Sequence, residues 1–217
     1  MKVSLTVPAS YIAVLKLFAA DKDVRHCLNG VILEIGRKET RLVASNGAML
    51  GCFRVESEQP DVDAPLTNII IPNDLLKPIR PVGKVEITIG DPELKWSRGA
   101  KRPSNARPVT IASTAMSLRV SGTTLDAVYP DYRRAIPDEV SGKPAQFDAR
   151  YLAALAKAWS ILHGTKNTPR VSIGHNGENA ALIDLGVDDF VGAIMPLRGI
   201  EPPKTCPSWI RDSLQKE

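Results

Sequence analysis

The sequence predicts an α+β protein that is built from repeated β-α-β-β-β units. Three observations predict this class. A short alternating segment precedes a segment of helical spacing, three strand-like runs follow the helical segment, and this order occurs three times along the chain. Because each predicted helix is apolar on one side, we expect the helices to lie on one face of antiparallel sheets.

The first unit spans residues 1–57. Residues 3–8 alternate between apolar and polar side chains and end in a proline, which predicts a short strand. The spacing of Ile12, Leu15 and Ala19 predicts the helix that follows. Glycines and charged residues then separate three predicted strands, which are CLNGVILEIG, TRLVASNG and MLGCFRVES.

The second unit spans residues 67–137 and begins with TNIIIP, a strand that again ends in a proline. NDLLKPIRPV predicts a short helix with Asn73 or Asp74 near its N-cap, and Pro78 limits its length. The strand material after it is KVEITIG, ELKWSR, VTIAST, MSLRVSG and TLDAVY.

The third unit spans residues 144–198. Residues 144–148 are predicted to be extended, and Asp148 is predicted to cap a helix. The apolar face of this helix consists of Leu152, Leu155, Ala156, Trp159 and Leu162. Three strands follow it, in RVSIG, AALIDLG and FVGAIMPLR.

Proline-rich polar linkers lie near residues 57–66 and 137–145. They predict a domain over 1–137, a half-domain over 144–198 and a tail over 199–217.

The composition is that of an ordinary globular protein, with 43% hydrophobic and 24% charged residues. The net charge of +4 permits a polyanionic partner without demanding one. Cys27, Cys52 and Cys206 form no CxxC pair, which argues against disulfides and zinc and indicates reduced thiols in or near the core. Neither a membrane-spanning run nor a signal peptide is evident, so we expect a cytoplasmic protein without a membrane partner.

Four segments resemble, in the same order, the bacterial DNA polymerase III beta subunit, the sliding clamp. They are DVRHCLNGVILEI (23–35), RLVASNGAMLG (41–51), AVYPDYRRAIP (127–137) and FVGAIMPLR (190–198). YPDYRR and the terminal MPLR are the most specific. The chain is similar to the family's middle domain and the end of its last domain, so the resemblance implies a DNA-clamp-like fold.

The resemblance also implies an assembly. A family chain has three domains of two units each, and the family closes a ring of six domains. The three units predicted here correspond to one and a half domains. Four such chains would therefore supply the six domains of the family's ring. We therefore expect a homo-oligomer, although the absent units leave ring closure open.

Two helix faces combine small residues with spaced cations. On the first helix Lys16 lies among Ser10, Ala13 and Ala20, and on the third Arg150 and Lys157 lie among alanines. Such a face can approach a phosphate backbone and would bind it independently of base sequence. The residues alone also fit an ordinary solvated face. In the clamp family such helices line the DNA hole, so the resemblance implies contact with double-stranded DNA.

The basic loop SRGAKRPSNARP (97–108) is inserted relative to the family pattern. It fits either an extra phosphate contact or a solubilising hairpin tip. The predicted DNA-binding residues are Lys16, Lys22, Arg98, Lys101, Arg102, Arg107, Arg150 and Lys157.

The resemblance further implies a peptide-binding groove. The family binds short linear motifs of polymerases and of the clamp loader in an apolar pocket between its middle and last domains. Leu28, Leu50 and Ile194 fit plain core packing equally well. The matching positions are Leu28, Ser45, Gly47, Ala48, Met49, Leu50, Pro130, Arg134, Ala135, Ala193, Ile194, Met195, Pro196 and Leu197.

Two features depart from the family. Ala48 and Met49 stand where the family usually has a His-Arg pair, and the chain runs on past the terminal strand. The added tail could cover the groove, present Trp209, Ile210 and Leu214 to a partner, or fray.

We also expect the segment YPDYRR to connect two units. Tyr129 and Tyr132 are predicted to anchor the linker, Asp131 to form a local turn, and Arg133 to lie in solvent.

Catalysis finds little support. His26, His163 and His175 lie in different units, and no nucleophile or Walker motif is present. Asp184, Asp188 and Asp189 could in principle hold a metal, but a strand–turn–strand interpretation is simpler. We expect no cofactor, no metal and no enzymatic activity, although these acids leave a metal-dependent nuclease as a minor alternative.

The leading hypothesis is a sliding-clamp-like replication processivity factor that tethers a polymerase or another DNA enzyme to duplex DNA. The alternative is a shortened regulatory module, of a type suited to a phage or mobile element. Such a module would compete for clamp ligands or bind a full-length clamp without encircling DNA.

Overall fold

The chain forms two antiparallel sheets with helices packed against them. The computed structural model describes residues 2–59, 65–92, 104–165, 167–199 and 205. The elements of the first unit are β1 (Val3–Pro8), α1 (Ala9–Phe18), β2 (Gly30–Ile35), β3 (Glu39–Ser45) and β4 (Met49–Glu56). Those of the second are β5 (Leu66–Pro72), α2 (Asn73–Leu76), β6 (Lys84–Ile89), β7 (Pro108–Ser113) and β8 (Leu118–Thr123). Those of the third are α3 (Ala149–His163), β9 (Ser172–Gly174), β10 (Ala181–Asp184) and β11 (Phe190–Ile194). The predicted α+β class is confirmed.

Two predicted extended segments do not form strands. Residues 144–148 make single hydrogen bonds to different neighbours, from Ala145 N to the His175 ring and from Leu197 N to Gln146 O. Residues 124–129 contribute only an isolated bridge between Leu125 and Ile70, after which the chain turns away. The predicted run ELKWSR lies outside the described residues.

The first two units exchange their leading strands. The smaller sheet has the order β1-β6-β7-β8, and the larger has the order β5-β2-β3-β4-β11-β10-β9. Strand β1 therefore belongs to the sheet of the second unit, and β5 belongs to that of the first. Separating these units would break two ladders. The proposed division at residues 57–66 and 137–145 stays a prediction.

The third unit extends the sheet of the first through the β4–β11 ladder. Gly51 lies opposite Gly192 in this ladder. A Cβ added at Gly51 would lie 3.1 Å from the ring of Phe18 on α1, so glycine allows this ring to rest directly on the sheet.

An aromatic cluster covers the same joint. The rings of Phe53 on β4 and Phe190 on β11 are 4.9 Å apart, and the ring of Phe18 is 5.9 Å from that of Phe190. Tyr11 on α1 stacks on Phe53 at 4.0 Å. The cluster thus connects α1, the first unit and the third unit in one core.

The larger sheet is buried on both faces near its centre. On β3, the side chains of Leu42 and Val43 point to opposite faces, yet both residues are 0% exposed. Leu42 belongs to the main core beside the helices, and Val43 belongs to a second cluster on the outer face. The members of this outer cluster are Ala20, Leu28, Ile32, Val43, Leu50, Cys52, Ile70, Tyr129 and Tyr132.

Helix α1 lies between the sheet, α2 and α3, and none of its residues is exposed. Ala13 and the following loop residue Ala20 are buried, so the expected open face of small residues on α1 is wrong. The small side chains of α1 allow neighbouring elements of the protein to pack closely against it, and they do not form an open surface for a phosphate backbone. None of the helices in the described ranges has the length and apolar composition needed to cross a membrane.

Helix α3 begins as predicted, since Asp148 Oδ1 accepts a hydrogen bond from Arg150 N at 2.8 Å. Its buried residues are Leu155, Ala158 and Trp159. Leu152 is 39% exposed, so the predicted apolar face is wrong at this first turn. The remainder of α3 packs against α1.

Lys16 caps the short helix α2 and the turn that follows it. Its Nζ donates hydrogen bonds to the carbonyl oxygens of Leu76, Lys77 and Ile79, at 3.2, 3.2 and 2.9 Å. The last carbonyls of a helix carry partial negative charge, so a cation is favourable there. Burial, followed by the positive charge of Lys157, lowers the pKa of Lys16.

We expect Lys16→Met to destabilise the protein by about 1–2 kcal/mol, because it removes charge-assisted hydrogen bonds from partly buried carbonyls while keeping the apolar stem. The measurement is chemical denaturation at neutral pH. Lys157→Met is the matched control, because Lys157 is exposed on the neighbouring helix and its charge opposes that of Lys16, so its loss should not destabilise the protein. Equal effects of the two substitutions would contradict the capping role.

Candidate peptide groove and basic surface

The candidate groove lies on the outer face of the β4–β11 ladder. Leu50 on β4 is paired with Ala193 on β11, and both side chains point away from the helices. Met195 follows at the end of β11 and is 38% exposed. These three side chains provide an apolar surface at the joint between the first and third units.

The turn between β3 and β4 forms one end of the groove, and side chains hold its backbone. Asn46 Oδ1 accepts hydrogen bonds from the amides of Ala48 and Met49, at 2.9 and 2.8 Å. Gly47 has a φ of 89°, which favours glycine. A Cβ at Gly47 would lie 2.8 Å from the guanidinium of Arg25, so glycine also makes room for this side chain.

Met195 N donates to Ala48 O at 2.8 Å and thereby ties the end of β11 to this turn. The groove therefore has a fixed backbone on both of the strands that form it.

The linker after β8 forms the wall of the groove. Tyr129 and Tyr132 are 6% and 5% exposed, which confirms that they anchor this segment. Tyr132 Oη donates to Glu34 Oε2 at 2.7 Å, and burial followed by this hydrogen bond raises the pKa of Tyr132. Asp131 forms the predicted local turn by accepting a hydrogen bond from Arg133 N.

Arg133 is exposed to solvent as predicted, with 53% of its side chain accessible, but it also has partners within the protein. Its guanidinium lies over the Tyr132 ring, 4.7 Å from the centroid, and donates to Glu34 Oε2 at 2.6 Å. The half-buried Glu34 carboxylate thus accepts from two linker side chains and fixes the linker to β2. Arg134 is the more exposed of the two arginines, with 86% of its side chain accessible, and its Nε lies 3.3 Å from Asp131 Oδ2.

A small cavity of about 60 Å³ lies between the strands, the turn and the linker. Every lining residue except Ala180 belongs to the set that the sequence predicts. The lining residues are Ser45, Gly47, Ala48, Met49, Leu50, Ala135, Ala180, Ala193, Ile194 and Met195.

The other predicted groove residues lie elsewhere. Leu28 is buried in the outer-face cluster, as its alternative interpretation stated. Pro130, Arg134, Pro196 and Leu197 do not line the cavity. Leu197 is 40% exposed at the rim, where its amide donates to Gln146 O at 2.8 Å.

Sequence reasoning missed Ala180, Arg25 and Glu34. Ala180 precedes β10 and reaches the cavity only because β10 pairs with β11. Arg25 and Glu34 lie in the segment DVRHCLNGVILEI, but a charged residue in a motif does not reveal its intramolecular partner.

The basic residues divide into engaged and exposed groups. Lys16 is engaged with α2, and Arg107 donates to Gly90 O at 3.2 Å. Arg150 and Lys157 are exposed on α3, where Arg150 also contacts Asp148 at 2.6 Å. Lys22 is exposed in the loop after α1. The predicted positions Arg98, Lys101 and Arg102 lie outside the described residues.

The remaining titratable candidates have structural partners. His163 Nε2 lies 2.9 Å from Leu185 O, and its ring stacks on Trp159. Asp184 Oδ1 accepts from Gly186 N at 2.7 Å in the turn between β10 and β11, which confirms the strand–turn–strand interpretation. The described residues contain no group of three His, Cys, Asp or Glu side chains that is arranged to hold a metal.

The cysteines of the described residues are free thiols. Cys52 is buried on the outer face of β4, and burial raises its pKa to about 11, so the thiol is protonated at neutral pH. Cys27 is half-buried, and Cys206 lies outside the described residues.

Comparison of the sequence with family models and with curated proteins found no match. Comparison of the structure with solved structures found bacterial sliding clamps. The DNA polymerase III subunit beta from Pseudomonas aeruginosa has a TM-score of 0.63 at 16% identity, over 90% of this chain and 66% of that chain. The same subunit from Borrelia burgdorferi, in complex with a natural product, has a TM-score of 0.59 at 15% identity, over 90% of this chain and 62% of that chain.

A further Pseudomonas aeruginosa structure, a DNA polymerase sliding clamp with ligand, has a TM-score of 0.59 at 16% identity. The chain spans less than two thirds of the length of these clamps. At such identities the likeness concerns the fold alone, and it supports the expected architecture of antiparallel sheets with helices on one face. This chain therefore has a sliding-clamp-like α+β fold.

Proposed function

We propose that this protein is a sliding-clamp-like processivity factor that tethers a polymerase or another DNA enzyme to duplex DNA. The observation that carries the proposal is the apolar cavity at the β4–β11 joint, which nine of the fourteen predicted groove residues line. The protein itself would make and break no bond. Its effect would come from the raised local concentration of the tethered enzyme on DNA.

The chemistry of the cavity suits a short peptide motif. Leu50, Ala193 and Met195 offer apolar surface, and the flexible thioether of Met195 can adapt to several ligands. An apolar side chain that enters the cavity would need little rearrangement of the backbone, because the turn at Gly47 and the linker at Tyr132 are already held. Polymerase and clamp-loader-type motifs are the proposed ligands.

The exposed face of α3 is the proposed DNA contact. Arg150 and Lys157 are exposed on this face with Ala153 between them, and Arg150 would exchange its ion pair with Asp148 for a phosphate. Contacts of this kind are independent of base sequence and sensitive to salt. Lys16 would affect DNA binding only through its role in the fold, because its Nζ donates hydrogen bonds to the carbonyls at the end of α2 and in the following turn.

Assembly into a closed homo-oligomer is part of the proposal. The β4–β11 ladder joins two units of this chain edge to edge, and β8 and β9 are each an edge strand of one of the two sheets. Outer strands offer unpaired backbone groups to another chain. The alternative function, a shortened regulatory module, needs the same groove but no ring.

We expect Met195→Asp to weaken binding of a synthetic peptide carrying a clamp-binding motif at least about tenfold, since it places an unpaired charge at an apolar pocket. Fluorescence anisotropy with the dye-labelled peptide measures the change. The matched control is Val82→Asp, because Val82 is also an exposed apolar residue, at 51%, and lies in the loop before β6. Undiminished binding by the Met195 variant would exclude this cavity as the peptide site.

The double substitution Arg150→Glu and Lys157→Glu should reduce retention on duplex DNA and lower the slope of log affinity against log salt by about two, one for each lost phosphate contact. Binding titrations at several salt concentrations measure this slope. Lys84→Glu with Arg119→Glu makes the same charge change on the outer face of the smaller sheet and should have the smaller effect. Equal losses for the two double variants would indicate general attraction to DNA and contradict a specific role for α3.

Light scattering across a dilution series should give one constant mass that is a multiple of the 23.5 kDa chain. A closed oligomer should then be retained on circular duplex DNA and lost from linearised DNA, because only the linear molecule has ends to slide from. A monomer at all concentrations would contradict the ring and favour the regulatory module, whose next test is binding to a full-length clamp.

A further inference from the structure

The outer face of the β4–β11 ladder continues past the apolar cavity into a second, larger cavity. Along β4 the side chains of Leu50, Cys52 and Arg54 share this face, because every second residue of a strand points the same way. Cys52 pairs with Val191, just as Leu50 pairs with Ala193. The two cavities are therefore consecutive along one ladder, and Leu50 and Arg54 are about 13 Å apart at ~3.3 Å per residue.

The second cavity has a volume of about 420 Å³, seven times that of the first. Cys52, Val191 and Ile136 give it an apolar floor, and the linker that walls the first cavity also borders this one through Tyr132. Because the buried thiol of Cys52 is protonated, the floor carries no charge at neutral pH. Phe190 and six charged side chains form the remainder of the lining.

The arginines of this lining are neutralised within the protein. Each guanidinium lies beside a carboxylate of the same surface, so none offers an uncompensated positive charge to a ligand. The three pairs are Arg41–Glu39 at 2.7 Å, Arg54–Asp189 at 3.4 Å and Arg133–Glu34 at 2.6 Å.

Asp138 and Asp188 also line the cavity, and they are exposed. Neither has an ion-pair or hydrogen-bond partner for its side chain among the residues that the structure describes. The lining itself carries three arginines and three aspartates, and Glu39 and Glu34 lie beside Arg41 and Arg133 without lining the cavity. Counted together, these eight groups have a net charge of about −2 at neutral pH, and the two unpaired carboxylates are the ones that face the cavity. Such a site is complementary to a cationic side chain with an aliphatic stem, which could lie on the apolar floor.

We propose that the second cavity binds a Lys or Arg side chain of the extended peptide whose apolar side chain fills the first cavity, about four residues away along the peptide. This inference rests on the proposed peptide binding and adds a determinant of partner choice to it. Apolar contact at Met195 gives affinity, and the two carboxylates select among motifs by charge.

The test uses dye-labelled synthetic peptides that share an apolar block of leucine and phenylalanine. They carry Lys, Gln or Glu four residues before or after this block. Anisotropy titrations with the full chain at about 50 mM salt should show, for one of the two placements, tighter binding of the Lys peptide than of the Gln peptide by about fivefold. The Glu peptide should bind more weakly than either.

The double variant Asp138→Asn with Asp188→Asn should abolish the Lys preference, so that this variant binds the Lys and Gln peptides with equal affinity. Asp21→Asn with Glu58→Gln removes two exposed carboxylates elsewhere and should retain the Lys preference. Equal affinities for the Lys and Gln peptides, or tighter binding of the Glu peptide, would overturn the inference and leave the peptide groove standing. If the full chain binds none of the peptides, both the inference and the proposed peptide binding fail.

Discussion

The pairing of β4 with β11 is the constraint on which the rest of the structure depends. It joins the first and third units into one sheet, and Gly51 in this ladder leaves room for the ring of Phe18. The aromatic cluster on the helix side then connects α1 to both strands. Because the helix side is sealed in this way, the candidate site lies on the outer face of the same ladder. One set of backbone hydrogen bonds therefore both completes the core and forms the floor of the groove.

The outer face becomes a groove only because the linker after β8 covers part of it. Tyr129 and Tyr132 pack against β2, β3 and β4. Glu34 fixes the linker by accepting hydrogen bonds from Tyr132 and Arg133. A central sheet that is covered on both faces explains the nearly continuous burial of its strands, where one solvated face would give an alternating pattern. The same linker borders both cavities, so the cavity proposed for apolar contact adjoins the cavity proposed for selection by charge. Partner choice would then depend on a connecting segment and not on a separate domain.

Charged residues have three different roles in this protein, and the surrounding sequence does not distinguish these roles. Lys16 satisfies the carbonyls at the end of α2, Arg133 fixes the linker, and Lys157 is exposed on α3. All three fit a basic surface when they are seen only in the sequence. Proposed DNA binding therefore depends on fewer cations than the helix patterns suggest. The engaged lysine and arginine instead maintain the shape of the surfaces on which binding would take place.

The sequence by itself determined the β-α-β-β-β order of the first two units, the helix and three strands of the third, the caps and turns at Asp148 and Asp131, and most of the lining of the small cavity. These follow from local periodicity, from side chains that bond their own backbone, and from short motifs that lie within one segment. Only the tertiary structure decided that β4 pairs with β11, that Lys16 faces α2 and that the second cavity exists. Strand pairing between positions about 140 residues apart depends on which edges remain free after the rest of the sheet has formed. The second cavity combines residues from β3, β4, β11, the linker and the β10–β11 turn, and no local pattern brings those five segments together.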